Sequence, residues 1–243
     1  MNNFKTNRKT KLLTIGNPKT LKSVAFGYFT AVMHLSPCDV AGYGNVCPSA
    51  SNGCKASCLH TSGNPMYFEN KFDARNWRTW LYFHHRSVFI ARLCKEIKAF
   101  EIRCKKINLK PAIRLNGTSD ILINRYIFEA FPNVQFYDYT KVKKNLTRSL
   151  NIPNYHVIFS ATELTKTSTI KRYVNHGINV AIVFDKIPSQ YLGLEVYSGM
   201  AHDLRFLDPQ LHVIGLEAIG KAKADKTGFV VRGCYGPFLD NPC

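Results

Sequence analysis

Short apolar runs rich in β-branched and aromatic residues recur in this chain at an interval of about 22 residues, the length of one compact strand-and-helix unit. Four of them, PAIRLN (111–116), VQFYDY (134–139), HVIFSA (156–161) and NVAIVFD (179–185), are preceded by SVAFGYFTAVMHL (23–35) and followed by HVIGLEAIG (212–220). Asn, Pro or Gly bounds several of the runs, as expected for buried strands. Helical spacing fills the gaps. The longest stretch, 70–106, places Trp77, Trp80, Leu81, His84, Val88, Ala91, Leu93 and Ile97 at roughly helical intervals. Shorter candidates are 121–130, 141–150 and 168–176, the last closed by Gly177. Six strands with right-handed crossovers make either a doubly wound sheet or an incomplete α/β barrel. We expect one α/β domain over 23–243 behind a basic N-terminal segment, 1–22, with a turn-rich stretch at 188–209 between the last two strands.

Apolar residues make up 45% of the 243, enough for a full core, so disorder is excluded for most of the chain. No apolar run reaches the ~18 residues of a membrane span. The basic start, MNNFKTNRKTKLLTIGNPKT, has no apolar stretch of signal-peptide length. A cytoplasmic protein with no membrane partner is expected. Thirty-three Lys and Arg against sixteen Asp and Glu leave a formal charge of +17. That excess suits an anionic substrate such as a nucleotide or nucleic acid, or serves solubility alone.

In parallel α/β architectures chemistry collects beyond the C-terminal ends of the strands. There the sequence places Asn116-Gly117-Thr118-Ser119-Asp120, Asp138-Tyr139-Thr140-Lys141, Ser160 with Glu163, Asp185-Lys186 and Glu217. Asp138, Tyr139 and Lys141 are candidates for proton transfer, and Asn116, Ser119, Asp120, Ser160 and Glu163 for holding a cofactor. Taken singly, Ser119, Asp120 and Thr140 also read as helix caps. His202, Asp203 and Arg205 form a further polar group: either a base with a phosphate site, or a salt bridge between Asp203 and Arg205 that ties a long loop.

Of the eight cysteines, Cys38, Cys47, Cys54 and Cys58 fall in one short stretch, and Cys94, Cys104, Cys234 and Cys243 are scattered. In a cytosolic chain of this length, a dense cysteine loop points to metal or redox chemistry rather than disulfides. The loop spacing is C-x6-C-x3-C, set among Gly, Ser and Asn. Cys47, Cys54 and Cys58 can hold a [4Fe–4S] cluster with one iron left open. Zinc is the competing metal, its fourth ligand supplied by Cys38 or His60, and unliganded or redox-active thiols are the remaining alternative.

The strings NVCPSASNGCKASCLHTSGN, RLNGTSD, FYDYTK, NVAIVF and HDLRFLDP, in this order over about 25–231, resemble the phage- and plasmid-encoded gene product 88 family. That resemblance implies kinship and a host-cytoplasmic location more directly than an activity. The order strand, cysteine loop, long helix and five further strands also resembles, more distantly, the radical S-adenosylmethionine enzymes. Their loop is spaced C-x3-C-x2-C, and a Gly-Gly-Glu string stands where this chain has Asn116-Gly117-Thr118-Ser119-Asp120. The second resemblance implies a six-stranded partial (β/α) barrel with the cysteine loop after strand 1. It also implies a cluster whose open iron binds S-adenosylmethionine, and a partner protein as reductant. A non-enzymatic, metal-braced nucleic-acid-binding or host-takeover protein is the alternative.

Overall fold

Each of the six apolar runs forms a strand in the computed structural model, which describes residues 10–16, 21–62 and 68–233. In chain order the strands are β1 (Leu13–Thr14), β2 (Tyr28–Met33), β3 (Lys110–Arg114), β4 (Gln135–Thr140), β5 (Tyr155–Ser160), β6 (Val180–Phe184), β7 (Gln190–Tyr191), β8 (Leu194–Ser198), β9 (Val213–Glu217) and β10 (Val230–Val231). The helices are α1 (Asn52–Ala56), α2 (Phe68–His84), α3 (Arg86–Lys106), α4 (Arg125–Ala130), α5 (Lys143–Ser149) and α6 (Thr167–Asn175). Cys234 and Cys243 lie outside the described residues.

The sheet runs β1-β2-β3-β4-β5-β6-β9-β8-β7, with β10 also on β6. It has ten strands rather than the six read from the apolar runs, and it is open, ending in β1 and β7. Three of the additional strands have only two residues, too short to leave a periodic signal, and the fourth, β8, lies with β7 inside the stretch 188–209 expected to be turn-rich. Strands β2, β3, β4, β5, β6 and β9 are mutually parallel and follow chain order without a reversal. A doubly wound sheet has such a reversal. Two pairs are antiparallel, β1 with β2 and β7 with β8. Leu13, within the basic N-terminal segment, is thus paired with Met33, and Leu12 and Leu13 are both buried.

Alternation of side chains across the strands divides the core. Met33, Ile113 and Phe136 pack with the helices on one face, as do Phe159, Ile182 and Val213 farther along the sheet. Ala112 and Tyr137 face the other way and are covered by Leu204 and Phe206, while Ile158, Ala181 and Ile214 continue that surface. The expected helix over 70–106 is broken at His85, whose φ of −135° and ψ of 57° are not helical. The break shifts the buried stripe by one residue. Trp77 and Leu81 lead to Phe89, Leu93, Ile97, Phe100 and Cys104, and Val88 is left exposed.

Between β5 and β6 the sheet parts. Their pairing is confined to Phe159 with Val180 and Ser160 with Ala181. Farther along, Val183 and Phe184 pair instead with Val230 and Val231 of β10. This split opens the C-terminal edge of the sheet, and the cysteine loop closes over it.

Candidate functional site

A cavity of about 500 Å³ lies over the C-terminal ends of the parallel strands, and Cys38, Cys47, Cys54 and Cys58 all line it. The loop that brings them there is fixed at both ends. Asp120 N–H donates to Val46 O at 2.8 Å. At the other end Glu163, just past β5, accepts from Gly53 N–H at 2.8 Å and from Ser51 Oγ at 2.7 Å. Ser51 Oγ in turn accepts from Cys54 N–H, capping the short helix α1. A Cβ on Gly53 would collide with Thr227 Oγ1, Phe229 Cβ and Glu163 Oε2, so this position tolerates only glycine at such close approach.

Cys38 has a φ of 52°, the left-handed region that side chains seldom enter. Its carbonyl accepts from Val46 N–H at 2.9 Å, closing the turn that returns the chain to Cys47. Burial pushes the Cys47 thiol up to about 12 and also raises Cys38 and Cys58. Cys47 Sγ lies 3.6 Å from Thr118 O. All four thiols are free of disulfides. Four thiols lining one cavity are a soft donor set, and a bound cation would offset the burial that disfavours ionising Cys38, Cys47 and Cys58. Among the described residues, no three or more Cys, His, Asp or Glu are grouped as an assembled metal centre. His60 does not line the cavity; its Nδ1 meets Arg75 Nη1 at 2.8 Å and its ring stacks on Phe72.

Most of the strand-end residues read from the sequence line the same cavity: Asn116, Ser119, Asp120, Tyr139, Lys141 and Ser160. Asn116 Oδ1 accepts from Ser119 Oγ at 2.8 Å and from Ile121 N–H at 2.9 Å, which folds the Asn-Gly-Thr-Ser-Asp turn on itself. Asp120 accepts from Thr140 Oγ1, Lys141 N–H and Asn145 Nδ2 at 2.6, 2.7 and 3.1 Å, joining the ends of β3 and β4. Asp138 and Glu163 are not in the wall. Asp138 lies beneath it, accepting from Asn116 N–H at 2.7 Å and from Tyr155 OH at 3.2 Å. Burial pushes its carboxyl up to about 7.

One cavity residue, Arg114, was not singled out in the sequence. Arg114 Nη1 lies 3.1 Å from Asp203 Oδ2, an ion pair across 89 residues of chain, and Tyr139 OH donates to Asp203 Oδ1 at 3.1 Å. Burial, reinforced by the Asp203 carboxylate, raises Tyr139 and keeps it a donor. The expected tie between Asp203 and Arg205 is therefore replaced by two others. Asp203 pairs with Arg114, and Arg205 pairs with Asp208 at 3.1 Å while donating to the carbonyls of Gly199 and His202. Arg205 and the Asp208 side chain are fully buried, which makes that pair part of the core.

A family model described as gene product 88 matches residues 2–233. The chain therefore belongs to the gene product 88 family. No curated protein and no solved structure matches it significantly. The resemblance to radical S-adenosylmethionine enzymes gains no support from these comparisons. No helix among the described residues is long and apolar enough to cross a membrane.

Proposed function

We propose that this member of the gene product 88 family is an iron–sulfur enzyme. In this reading Cys47, Cys54 and Cys58 hold a [4Fe–4S] cluster over the C-terminal edge of an incomplete α/β barrel, with S-adenosylmethionine as a cosubstrate. One observation carries it: three cysteines of a single loop, with Cys38 beside them, line the same cavity as the polar ends of successive parallel strands. Strands in unbroken chain order are the arrangement of a barrel stopped before closure. When bound, the cluster supplies a low-potential electron, with which S-adenosylmethionine is cleaved reductively.

The chain's own residues bind and orient. Glu163 and Asp120 hold the loop over the strands through Gly53 N–H, Ser51 Oγ and Val46 O. Asp138 fixes Asn116, and Asn116 shapes the turn that faces the thiols. Tyr139, anchored on Asp203, and Lys141 are the groups positioned to hold a proton at the ligand. The reductant would be a separate electron-transfer protein of the host cytoplasm.

The test is reduction of the anaerobically reconstituted protein with dithionite in the presence of S-adenosylmethionine. Formation of 5′-deoxyadenosine, lost in Cys54→Ala, is expected. A brown protein that never cleaves S-adenosylmethionine retains the cluster and removes the cosubstrate. Stoichiometric zinc with no iron uptake, together with salt-dependent retention on nucleic acid, would favour a metal-braced binding protein. The +17 charge of the chain is the observation behind that second reading.

A further inference from the structure

The cavity wall has two chemically distinct halves. Along β3, β4 and β5 it is polar, with Asn116, Asp120, Lys141 and Ser160. Along β6, β9 and the approach to β10 it is mainly apolar, with Val183, Leu216, Ile219, Ala222 and Phe229, and with Glu217 as the exception. A ligand that fills it therefore needs a polar end and an apolar body on opposite sides.

Lys141 marks the polar end. Its Nζ donates to Ser160 Oγ at 2.9 Å, leaving two ammonium N–H groups and the serine O–H for a ligand. The carboxylates nearby are committed elsewhere: Asp120 to three donors of its own strand end, and Asp203 to Arg114 and Tyr139. Asp39 and Glu217 are at the exposed rim. Among the described residues no carboxylate forms an ion pair with Lys141. A cation held by a hydroxyl and facing a cavity is complementary to an oxyanion.

We infer that the cavity binds a nucleotide, its phosphate on Lys141 and Ser160 and its base against Val183, Leu216 and Phe229. The volume of about 500 Å³ falls within the range of small-molecule sites, roughly 300–1,000 Å³. The strongly positive chain draws such anions toward it. The inference deepens the reading above by naming the substrate class of the same cavity.

Anaerobic titration calorimetry of the full chain with the four ribonucleoside 5′-monophosphates and their parent nucleosides tests it. At least one monophosphate is expected to bind about tenfold or more tightly than its nucleoside. Lys141→Met should abolish that preference, Ser160→Ala should reduce it, and Lys141→Arg should restore most of it. Thermal melts identify any variant that fails to fold, and the Ser160→Ala arm then carries the comparison. No preference for any monophosphate, or a preference that survives Lys141→Met in folded protein, overturns the site. Iron content measured on the same samples separates the two proposals: phosphate discrimination without iron uptake leaves the site standing and removes the cluster. Iron uptake without discrimination does the reverse.

Discussion

Glu163 Oε1 accepts the backbone N–H of Gly53 at 2.8 Å, and through this bond the end of β5 holds the helix that carries Cys54. Two residues separated by 110 positions thereby fix where the thiols stand relative to the strands. The carboxylate takes a second bond from Ser51, whose hydroxyl caps the same helix. Hydrogen bonds to a charged acceptor are worth about 1.5–3 kcal/mol each.

Replacing Glu163 by Gln leaves one acceptor oxygen for two donors. Amide hydrogen exchange over 51–58 should quicken by about tenfold, while exchange in β4 and β5 stays unchanged. Uniform acceleration across the sheet would mean that Glu163 supports the whole fold and not the loop.

Gly53→Ala is expected to cost about 1–3 kcal/mol, because the methyl group meets Thr227, Phe229 and Glu163 at once. Helix propensity alone favours alanine over glycine by up to about 1 kcal/mol. Denaturant melts thus give opposite signs for the two effects, and a stabilised Gly53→Ala variant would refute the close packing.

The Arg114–Asp203 pair is largely buried, and removing either partner strands the other charge. Asp203→Ala or Arg114→Ala should cost about 3–5 kcal/mol, and the double variant Arg114→Met/Asp203→Leu should recover much of it. A double-mutant cycle with no coupling between the two positions would contradict the pairing.

Asp138 titrates near 7 in the folded chain, against an ordinary aspartate value of 3.8, because burial disfavours its charge. The folded state therefore holds this proton more tightly than the unfolded one. Its contribution to stability is largest below pH 4, declines as pH rises from about 4 to 7, and is level above that. The stability of the wild type relative to Asp138→Asn should fall between about pH 4 and pH 7 and level off above that. A difference that rises or stays flat over that range would show that the carboxyl is not protonated in the fold.

The principal strands and three of the helices were legible because their signals are local. Runs such as NVAIVFD combine β-branching with Asn at one end, and Gly177, with a φ of 79°, closes α6 as its position implies. The cysteine loop was legible from spacing alone. What was not legible depends on contacts between distant residues. Strands β7 and β10 have two residues each and exist only through their partners. The break at His85 moves the apolar stripe from Val88 to Phe89, a slip of one residue that helical periodicity smooths over. Asp203 was read beside Arg205 because they are close in sequence, yet it pairs with Arg114. Glu163 looked like a ligand-facing carboxylate and is a clamp on the loop instead, since only the fold brings Gly53 to it.

Iron bound per chain after anaerobic reconstitution, measured beside the visible absorption of the same sample, tests the central claim most directly. The expected result is about four iron atoms per chain with broad absorption near 400 nm, both lost in Cys54→Ala. A wild-type chain that stays colourless and takes up no iron, or a Cys54→Ala chain that loads iron as fully as the wild type, would contradict it.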